Sequence, residues 1–204
     1  MTIAYHVDDL PANIDLGNIV AIDTETLGLN PSRDRLCVVQ MSAGDGHCHV
    51  VHFPKDHYNA PNLVRMLNDQ SVLKIFHFAR FDLAVLKHYL GADCRPVYCT
   101  KIASKIARTY TDRHGLKELC QELLGIDLSK QMQSSDWGAP SLSEAQLAYA
   151  SHDVLHLHAL RERLDQMLSR EGRDQLLQPC FDFLPHRAVL DLAGWGATDI
   201  FAHS

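Results

Sequence analysis

Two acidic patterns, far apart in the chain, have the residue types and spacing of a catalytic metal site. The first is Asp23-Thr24-Glu25-Thr26, and the second is Tyr149 followed by Asp153. The first comes after a run rich in β-branched residues over 18–22, which predicts a buried strand. Residues i and i+2 on a strand share a face, so the two acids of the first pattern would lie side by side. Adjacent carboxylates repel unless a cation lies between them, and oxygen ligands of this kind suit Mg²⁺ or Mn²⁺.

An isolated Asp-x-Glu also occurs at ordinary strand ends that lead into a turn, here at Gly28. Two further acids at element boundaries favour a shared site instead. Asp82 follows an apolar strand predicted over 73–78. Asp153 lies on a long helix predicted to begin near Ser141, because Ser141-Leu142-Ser143-Glu144 has the form of a capping box.

That helix also predicts where Tyr149 and Asp153 lie. Apolar residues recur at spacings of three or four, which turns one side toward a core: Leu147, Ala150, Val154, Leu157, Leu160, Leu164 and Leu168. Tyr149 and Asp153 are four residues apart and stack on one face, close to the edge of this stripe. A carboxylate there is costly unless it is paired or binds a metal.

In order and spacing these residues resemble the three motifs of the DEDD superfamily of 3'-to-5' exonucleases, in its tyrosine-bearing branch. Further stretches, over 100–104, 114–117 and 133–137, are similar to the ribonuclease D group. One departure follows Trp137, where typical ribonuclease D chains carry Arg-Pro-Leu and this chain continues with Gly138 and Ala139. Any substrate contact made by that arginine cannot be carried over.

A closer resemblance is to the short nanoRNase C type oligoribonucleases of α-proteobacteria. It rests on the stretches 23–29, 33–40, 109–114 and 199–204. Members of that group degrade very short RNAs, down to dinucleotides, and assemble as homo-octameric rings. The resemblance therefore implies short single-stranded RNA as the partner, with short DNA as a further possibility, and a homo-octamer as the assembly.

Length and charge agree with this interpretation. The 204 residues predict one compact domain, and the resemblance implies that it is a 3'-5' exonuclease domain over 1–204 with a helical C-terminal segment. The net charge is -6, whereas a protein that tracks long RNA normally carries a basic groove. Short oligonucleotides held by a few contacts fit better, although five cations do cluster in one segment: Lys101, Lys105, Arg108, Arg113 and Lys117. With no bilayer-length apolar run and no signal-peptide pattern, we expect a cytoplasmic protein without a membrane partner.

Other motif classes are not supported. Six cysteines form no C-x-x-C pair, which predicts free thiols. His47, His49 and His52 fit alternation along an edge strand better than a zinc site. No P-loop or dinucleotide-binding glycine pattern occurs, which argues against an NTPase or a dehydrogenase.

The chain layout predicts an α/β fold with a mixed central sheet flanked by helices. Strands are expected over 18–23, 35–43, 47–53 and 73–78, with helices over 61–68 and from about residue 79. Beyond residue 100 the pattern is helical. Three meandering strands followed by alternating strand and helix match the ribonuclease H-like DEDD exonuclease fold that the resemblance implies.

The resemblance also implies the chemistry. Asp23, Glu25 and Asp153 would hold two divalent cations roughly 3.5 to 4 Å apart, and Asp82 would complete the site. Tyr149 would orient the attacking water, because an ordinary tyrosine with a pKa near 10 is a poor base. The expected product is a nucleoside 5'-monophosphate released from the 3' end.

Candidate substrate contacts are less constrained by spacing. They are Thr24, Leu29, His77, Arg108, Arg113, His114, Ser134 and Ser135. Leu29 is either a wedge between terminal bases or an ordinary core residue. A 5'-phosphate would attract one or more of Arg108, Arg113, His114 and the two serines.

Several alternatives stay open at this level. The same acids could serve DNA proofreading or general RNA trimming, and a non-catalytic nucleic-acid-binding module on a nuclease scaffold is the non-enzymatic alternative. A phosphatase with an Asp-x-Asp motif is disfavoured because Glu25 occupies the second position. The apolar C-terminal segment, from Phe181 to Phe201, would dock on the core or on a neighbouring subunit.

Overall fold

The protein contains a mixed sheet of six strands. The structure, a computed structural model, describes residues 2–129, 131–132 and 134–203. Met1, Lys130, Gln133 and Ser204 lie outside the described residues. The strands are β1 (Thr2–Val7), β2 (Ile19–Thr26), β3 (Leu36–Ser42), β4 (His47–His52), β5 (Leu73–Phe76) and β6 (Val97–Cys99), in the spatial order β1-β4-β3-β2-β5-β6. The pairs β2-β3 and β3-β4 are antiparallel, and the other pairs are parallel. The predicted mixed sheet with an antiparallel meander is confirmed.

The sheet differs from the predicted one at its edges. β1 and β6 were not predicted, because β1 is largely exposed and β6 has only three residues, so neither shows a strong apolar signal. The edge position predicted for residues 47–53 is wrong, since β4 lies between β1 and β3. Its last residue, His52, is fully buried, and its Nδ1 forms a 2.6 Å hydrogen bond with the Tyr5 hydroxyl of β1.

Helices cover the sheet. They are α1 (Pro61–Asn68), α2 (Ala79–Leu90), α3 (Thr100–Ala107), α4 (Leu116–Leu119), α5 (Glu144–Leu155), α6 (Leu157–Arg170) and α7 (Leu177–Leu190), with π-helical turns over Cys120–Leu124 and Asp191–Trp195 and a 3-10 turn over Asp174–Leu176. α5 packs on β2, β3 and β4. This packing places one face of α5 directly over the strand that carries the first acidic pattern.

The long helix predicted from Ser141 is two helices. α5 begins after Ser143, whose hydroxyl accepts a 3.2 Å hydrogen bond from the Gln146 backbone N–H, while the Gln146 side chain accepts a 2.9 Å bond from the Ser143 backbone N–H. The predicted capping box at Ser141 and Glu144 is therefore wrong by two residues. The same Ser-x-x-acid/amide spacing occurs twice here, and the pattern alone cannot choose between them. At His156 the helix breaks, and the apolar stripe continues on α6.

The C-terminal segment docks on the core, one of the two predicted outcomes. α7 buries five apolar residues against the rest of the domain: Leu177, Phe181, Leu184, Pro185 and Ala188. The Arg80 guanidinium then makes two hydrogen bonds, of 2.6 and 2.8 Å, to the Asp191 carboxylate just after α7. Trp195 and Phe201 remain exposed.

Two further findings bear on the sequence predictions. All six cysteines are free thiols, as predicted. Within the described ranges, none of the helices combines the length and the apolar character that a membrane crossing requires.

Candidate active site

Three carboxylates from distant parts of the chain meet at one point. Asp23 and Glu25 project from β2, and Asp153 projects from α5, which packs across that strand. One oxygen from each lies within 4.8 Å of the others. The structure therefore brings together both acidic patterns that the sequence singled out.

Asp82 lies immediately behind this group. It is in the first turn of α2, is almost completely buried, and accepts a 2.7 Å hydrogen bond from the Thr24 hydroxyl. Helix α2 starts after Phe78, which has a left-handed backbone with φ 65°. The chain thus turns sharply from β5 into α2, and this turn aims the first helical residues at the acidic group.

Gln40 supports the site from the neighbouring strand. Its side-chain amide donates a 2.6 Å hydrogen bond to Asp23 Oδ2, and the residue is fully buried in β3. A donor of this kind fixes the orientation of a metal-binding carboxylate. Sequence analysis did not identify Gln40 as functional, although one amide inside the apolar run of β3 is a signal that could have found it.

The carboxylates are strongly coupled electrostatically. Burial, followed by the charges of Asp153 and Asp82, raises the pKa of Glu25 to about 9. Burial raises the pKa of Asp82 and of Asp153 to about 7. The pKa of Asp23 is also raised well above its usual value, first by burial and then by the neighbouring acids. These four groups cannot all ionise side by side without a counter-charge.

This donor set fits a divalent cation. Carboxylate oxygens that converge within one small volume are the ligands of hard cations such as Mg²⁺ or Mn²⁺, and the ion supplies the missing positive charge. The three converging oxygens belong to Asp23, Glu25 and Asp153. Asp82 adjoins them through Thr24.

Tyr149 lies one helical turn before Asp153 and lines the same cavity. Its ring lies 6.0 Å from that of Trp137, which is fully buried. Burial, and then the charge of Asp153, raises the pKa of Tyr149 above its ordinary value. The hydroxyl therefore keeps its proton at neutral pH.

The cavity around these groups has a volume of about 320 Å³. Its second wall comes from α4 and the segment that follows it, and it includes Leu116, Lys117, Leu128 and Ser129. The Lys117 ammonium lies 3.2 Å from an Asp127 carboxylate oxygen. These wall residues were not predicted as site residues, although the ribonuclease D-like stretch over 114–117 pointed to this part of the chain.

Of the predicted substrate contacts, Thr24 and His77 line the catalytic cavity. Leu29 does not, but it is 88% exposed and lines a different cavity of about 620 Å³, which shares no lining residue with the catalytic cavity. Core packing of Leu29, the alternative to a wedge, is therefore wrong.

The other predicted contacts lie away from the catalytic cavity. Arg108 is fully buried, and its guanidinium bonds to Glu122, to the Ser104 hydroxyl and to the Arg113 carbonyl. His114 Nδ1 lies 2.8 Å from the same Ser104 hydroxyl.

The remaining three are nearer to the surface. Arg113 is exposed, and its Nε lies 3.6 Å from a Glu122 carboxylate oxygen. Ser134 is exposed, and Ser135 Oγ accepts a 3.3 Å bond from the Gln146 amide. The structure does not bring these residues to the carboxylates, so their contact with substrate stays a prediction.

The coupled acids predict a specific pH dependence for stability. An acid whose pKa is higher in the folded state than in the unfolded state stabilises the folded state while it is protonated. This stabilisation is lost as the pH rises from about 4, the unfolded pKa, through the pKa of the folded state. For Asp82 and Asp153 that value is about 7, and for Glu25 it is about 9. We expect the gain in Tm on adding Mg²⁺ to grow from about pH 5 to about pH 8, reaching about 5 °C or more at saturation.

Thermal unfolding with Mg²⁺ and with chelator, at each pH, measures this gain. Asp153→Asn should reduce the gain, because it removes one of the converging oxygens. Asp56→Asn, at an exposed acid outside the cavity, is the matched control and should behave as wild type. An equal gain at every pH would contradict the coupled-acid account.

Comparison with known proteins places this site in a family. Residues 6–169 match the family model for 3'-5' exonucleases, a range that includes the four acids and Tyr149. Ribonuclease D of Gluconacetobacter diazotrophicus is 36% identical over 154 residues, which are 76% of this chain and 39% of that protein. The chain spans less than half the length of the curated ribonuclease D proteins that it matches.

Solved structures similar to this chain extend over its full length. Brucella melitensis NrnC bound to pGG is 59% identical, with a TM-score of 0.94 and 100% coverage of both chains. Brucella melitensis NrnC with bound Mg²⁺ is 58% identical, also with a TM-score of 0.94 and 100% coverage of both chains. The predicted ribonuclease H-like exonuclease fold and the resemblance to ribonuclease D and nanoRNase C are confirmed, and the chain belongs to the 3'-5' exonuclease family.

Proposed function

We propose that this protein hydrolyses very short RNA from the 3' end and releases nucleoside 5'-monophosphates. The observation that carries the proposal is the convergence of Asp23, Glu25 and Asp153, beside Tyr149, in a cavity of about 320 Å³. This cavity would receive the 3'-terminal nucleotide. The structure of an NrnC that is 59% identical, bound to the dinucleotide pGG, supports the short substrate.

The metal ligands follow from the same geometry. Asp23, Glu25 and Asp153 would hold two divalent cations, Mg²⁺ or Mn²⁺, with Asp82 completing the set directly or through water. Bound cations would lower the pKa of the attacking water and neutralise charge on the scissile phosphate. The Mg²⁺ in the NrnC relative supports this choice of ion.

The chain's own residues prepare this centre. Gln40 holds the Asp23 carboxylate in place, and Thr24 does the same for Asp82, each through one short hydrogen bond. Tyr149 keeps its proton and can position a water molecule through its hydroxyl, while Trp137 restrains its ring. Orientation, not proton abstraction, is the role that a tyrosine with a raised pKa can perform.

The candidate substrate contacts outside the cavity differ in what supports them. Leu29 would separate the last two bases, and its exposed side chain supports this role. Arg108 is assigned a structural role instead, because its buried guanidinium joins α3 to the π-helical turn through Glu122. Arg113, His114, Ser134 and Ser135 remain candidates for recognition of the 5' end.

Substitution of the two helix residues separates their roles. Asp153→Asn should lower kcat on the order of 10³-fold and weaken Mg²⁺ binding, because it removes a ligand oxygen. Tyr149→Phe should lower kcat by about 10²-fold while Mg²⁺ affinity stays at the wild-type value. Steady-state kinetics and Mg²⁺ titration by calorimetry measure both quantities. Retained activity in Asp153→Asn, or full activity in excess chelator, would contradict the metal mechanism.

Substrate length is tested with 5'-labelled RNA and DNA oligomers. We expect kcat/KM to rise as RNA shortens from about seven to two nucleotides, because residues that recognise the 5' end can contact it only when that end lies close to the catalytic cavity. General RNA trimming predicts a flat or opposite trend, and a DNA exonuclease predicts equal or faster cleavage of DNA. The non-catalytic alternative predicts binding without product in every lane.

We also propose that the chain assembles as a homo-oligomer, by resemblance an octamer. Two apolar side chains of the C-terminal segment, those of Trp195 and Phe201, are exposed and support a subunit interface. Light scattering should then give about eight times the mass of one chain. The mass of a single chain would contradict the assembly without affecting the proposed reaction.

A further inference from the structure

His77 presents a polar atom to the catalytic cavity that the proposed metal chemistry does not use. The residue directly follows β5 and lines the cavity with the carboxylates. Its Nδ1 lies 2.9 Å from the hydroxyl oxygen of Thr100, which is fully buried at the start of α3. That hydroxyl lies 3.2 Å from the Phe76 carbonyl oxygen and donates to it.

This hydrogen-bond chain favours one tautomer of His77. A threonine hydroxyl has one proton, and a carbonyl oxygen can only accept. With the Thr100 proton directed to the Phe76 carbonyl, Thr100 Oγ1 accepts from His77 Nδ1–H. In a neutral imidazole the other nitrogen, Nε2, is then an acceptor without a proton.

The surroundings keep the ring neutral. Burial, and then the positive charge of Lys101, lowers the pKa of His77 to about 3. Among the described residues, Nε2 has no hydrogen-bond partner, and it is not one of the buried unpaired atoms. A neutral acceptor that solvent can reach therefore lies at a cavity whose lining also includes four carboxylates and one lysine.

A ligand for this atom must bring a hydrogen-bond donor. The phosphate of a nucleotide offers only acceptors, and a neutral imidazole gives it no counter-charge. Donors on the base differ among the four bases, so they cannot serve a nuclease that accepts any terminal base. The ribose hydroxyls are the donors that every 3'-terminal ribonucleotide carries.

We propose that His77 Nε2 accepts a hydrogen bond from a ribose hydroxyl of the 3'-terminal nucleotide, and that Thr100 sets the tautomer that makes this possible. The inference rests on the proposed exonuclease function. If the hydroxyl is the 2' group, His77 selects RNA over DNA. If it is the 3' group, His77 selects a free 3' end.

Three dinucleotide substrates separate these cases. They are 5'-phosphorylated diadenylates whose 3' nucleotide is ribose, 2'-deoxyribose or 3'-deoxyribose. For wild type we expect kcat/KM to fall about tenfold when the hydroxyl that His77 contacts is missing, the effect of one neutral hydrogen bond. His77→Phe should bring that ratio close to one, and His77→Gln, which retains an acceptor, should restore part of it.

Binding of the product provides a readout that does not depend on turnover. Calorimetry with adenosine 5'-monophosphate and its 2'- and 3'-deoxy forms, in Mg²⁺, should show the same ratios for wild type and for both variants. Equal losses for all three ligands in His77→Phe would overturn the inference, even where wild type hydrolyses RNA as proposed. Absence of RNA hydrolysis by wild type, with the binding ratios intact, would overturn the proposed function alone.

The tautomer has its own test. Nitrogen-15 NMR of the histidine side chains should show His77 protonated on Nδ1 in wild type. Thr100→Val should change this signal and reduce the hydroxyl preference, whereas Thr100→Ser, which retains the oxygen, should preserve both. Protonation of His77 on Nε2 in the wild-type protein would overturn the inference.

Discussion

Repulsion among four closely placed carboxylates, one of them buried and three half-buried, is the constraint on which the rest of the structure depends. Asp23, Glu25, Asp82 and Asp153 each have a raised pKa, chiefly because burial removes water from them. A loose framework would relieve the repulsion by letting the acids move apart. The fold prevents this by placing them on β2, α2 and α5, elements that pack directly against the buried sheet.

The donors around the acids show how the fold sustains this arrangement. Gln40 and Thr24 each give one short hydrogen bond to a carboxylate and add no charge. A lysine or arginine in either position would neutralise an acid and so compete with a cation for it. Neutral donors orient the ligands while leaving the negative charge available, which is what a metal centre needs from the residues behind it.

The sequence predicted the parts of the site that depend on local pattern, and it missed those that depend on long-range contact. The acids were identifiable because each lies in a short motif at a predictable element. Arg108 was assigned to substrate from its charge, but its burial depends on Glu122, which only the folded structure brings beside it. The start of α5 at Ser143 depends on which of two overlapping cap patterns the packing selects. Strands β1 and β6 carry too little apolar signal to be recognised without their partners.

The charge of the chain follows from the same logic. A protein that binds a polyanion normally does so with lysine and arginine, and its affinity then increases with the number of phosphates contacted. Here the net charge is -6, and the lining of the catalytic cavity includes four carboxylates and one lysine, Lys117, whose ammonium lies 3.2 Å from an Asp127 carboxylate oxygen. Such a cavity would attract phosphate mainly through cations bound to its carboxylates. Attraction is therefore confined to the phosphate at the metal centre and gains little from further nucleotides. An acidic cavity of this design provides no electrostatic reason to prefer long strands, which agrees with the short substrate proposed above.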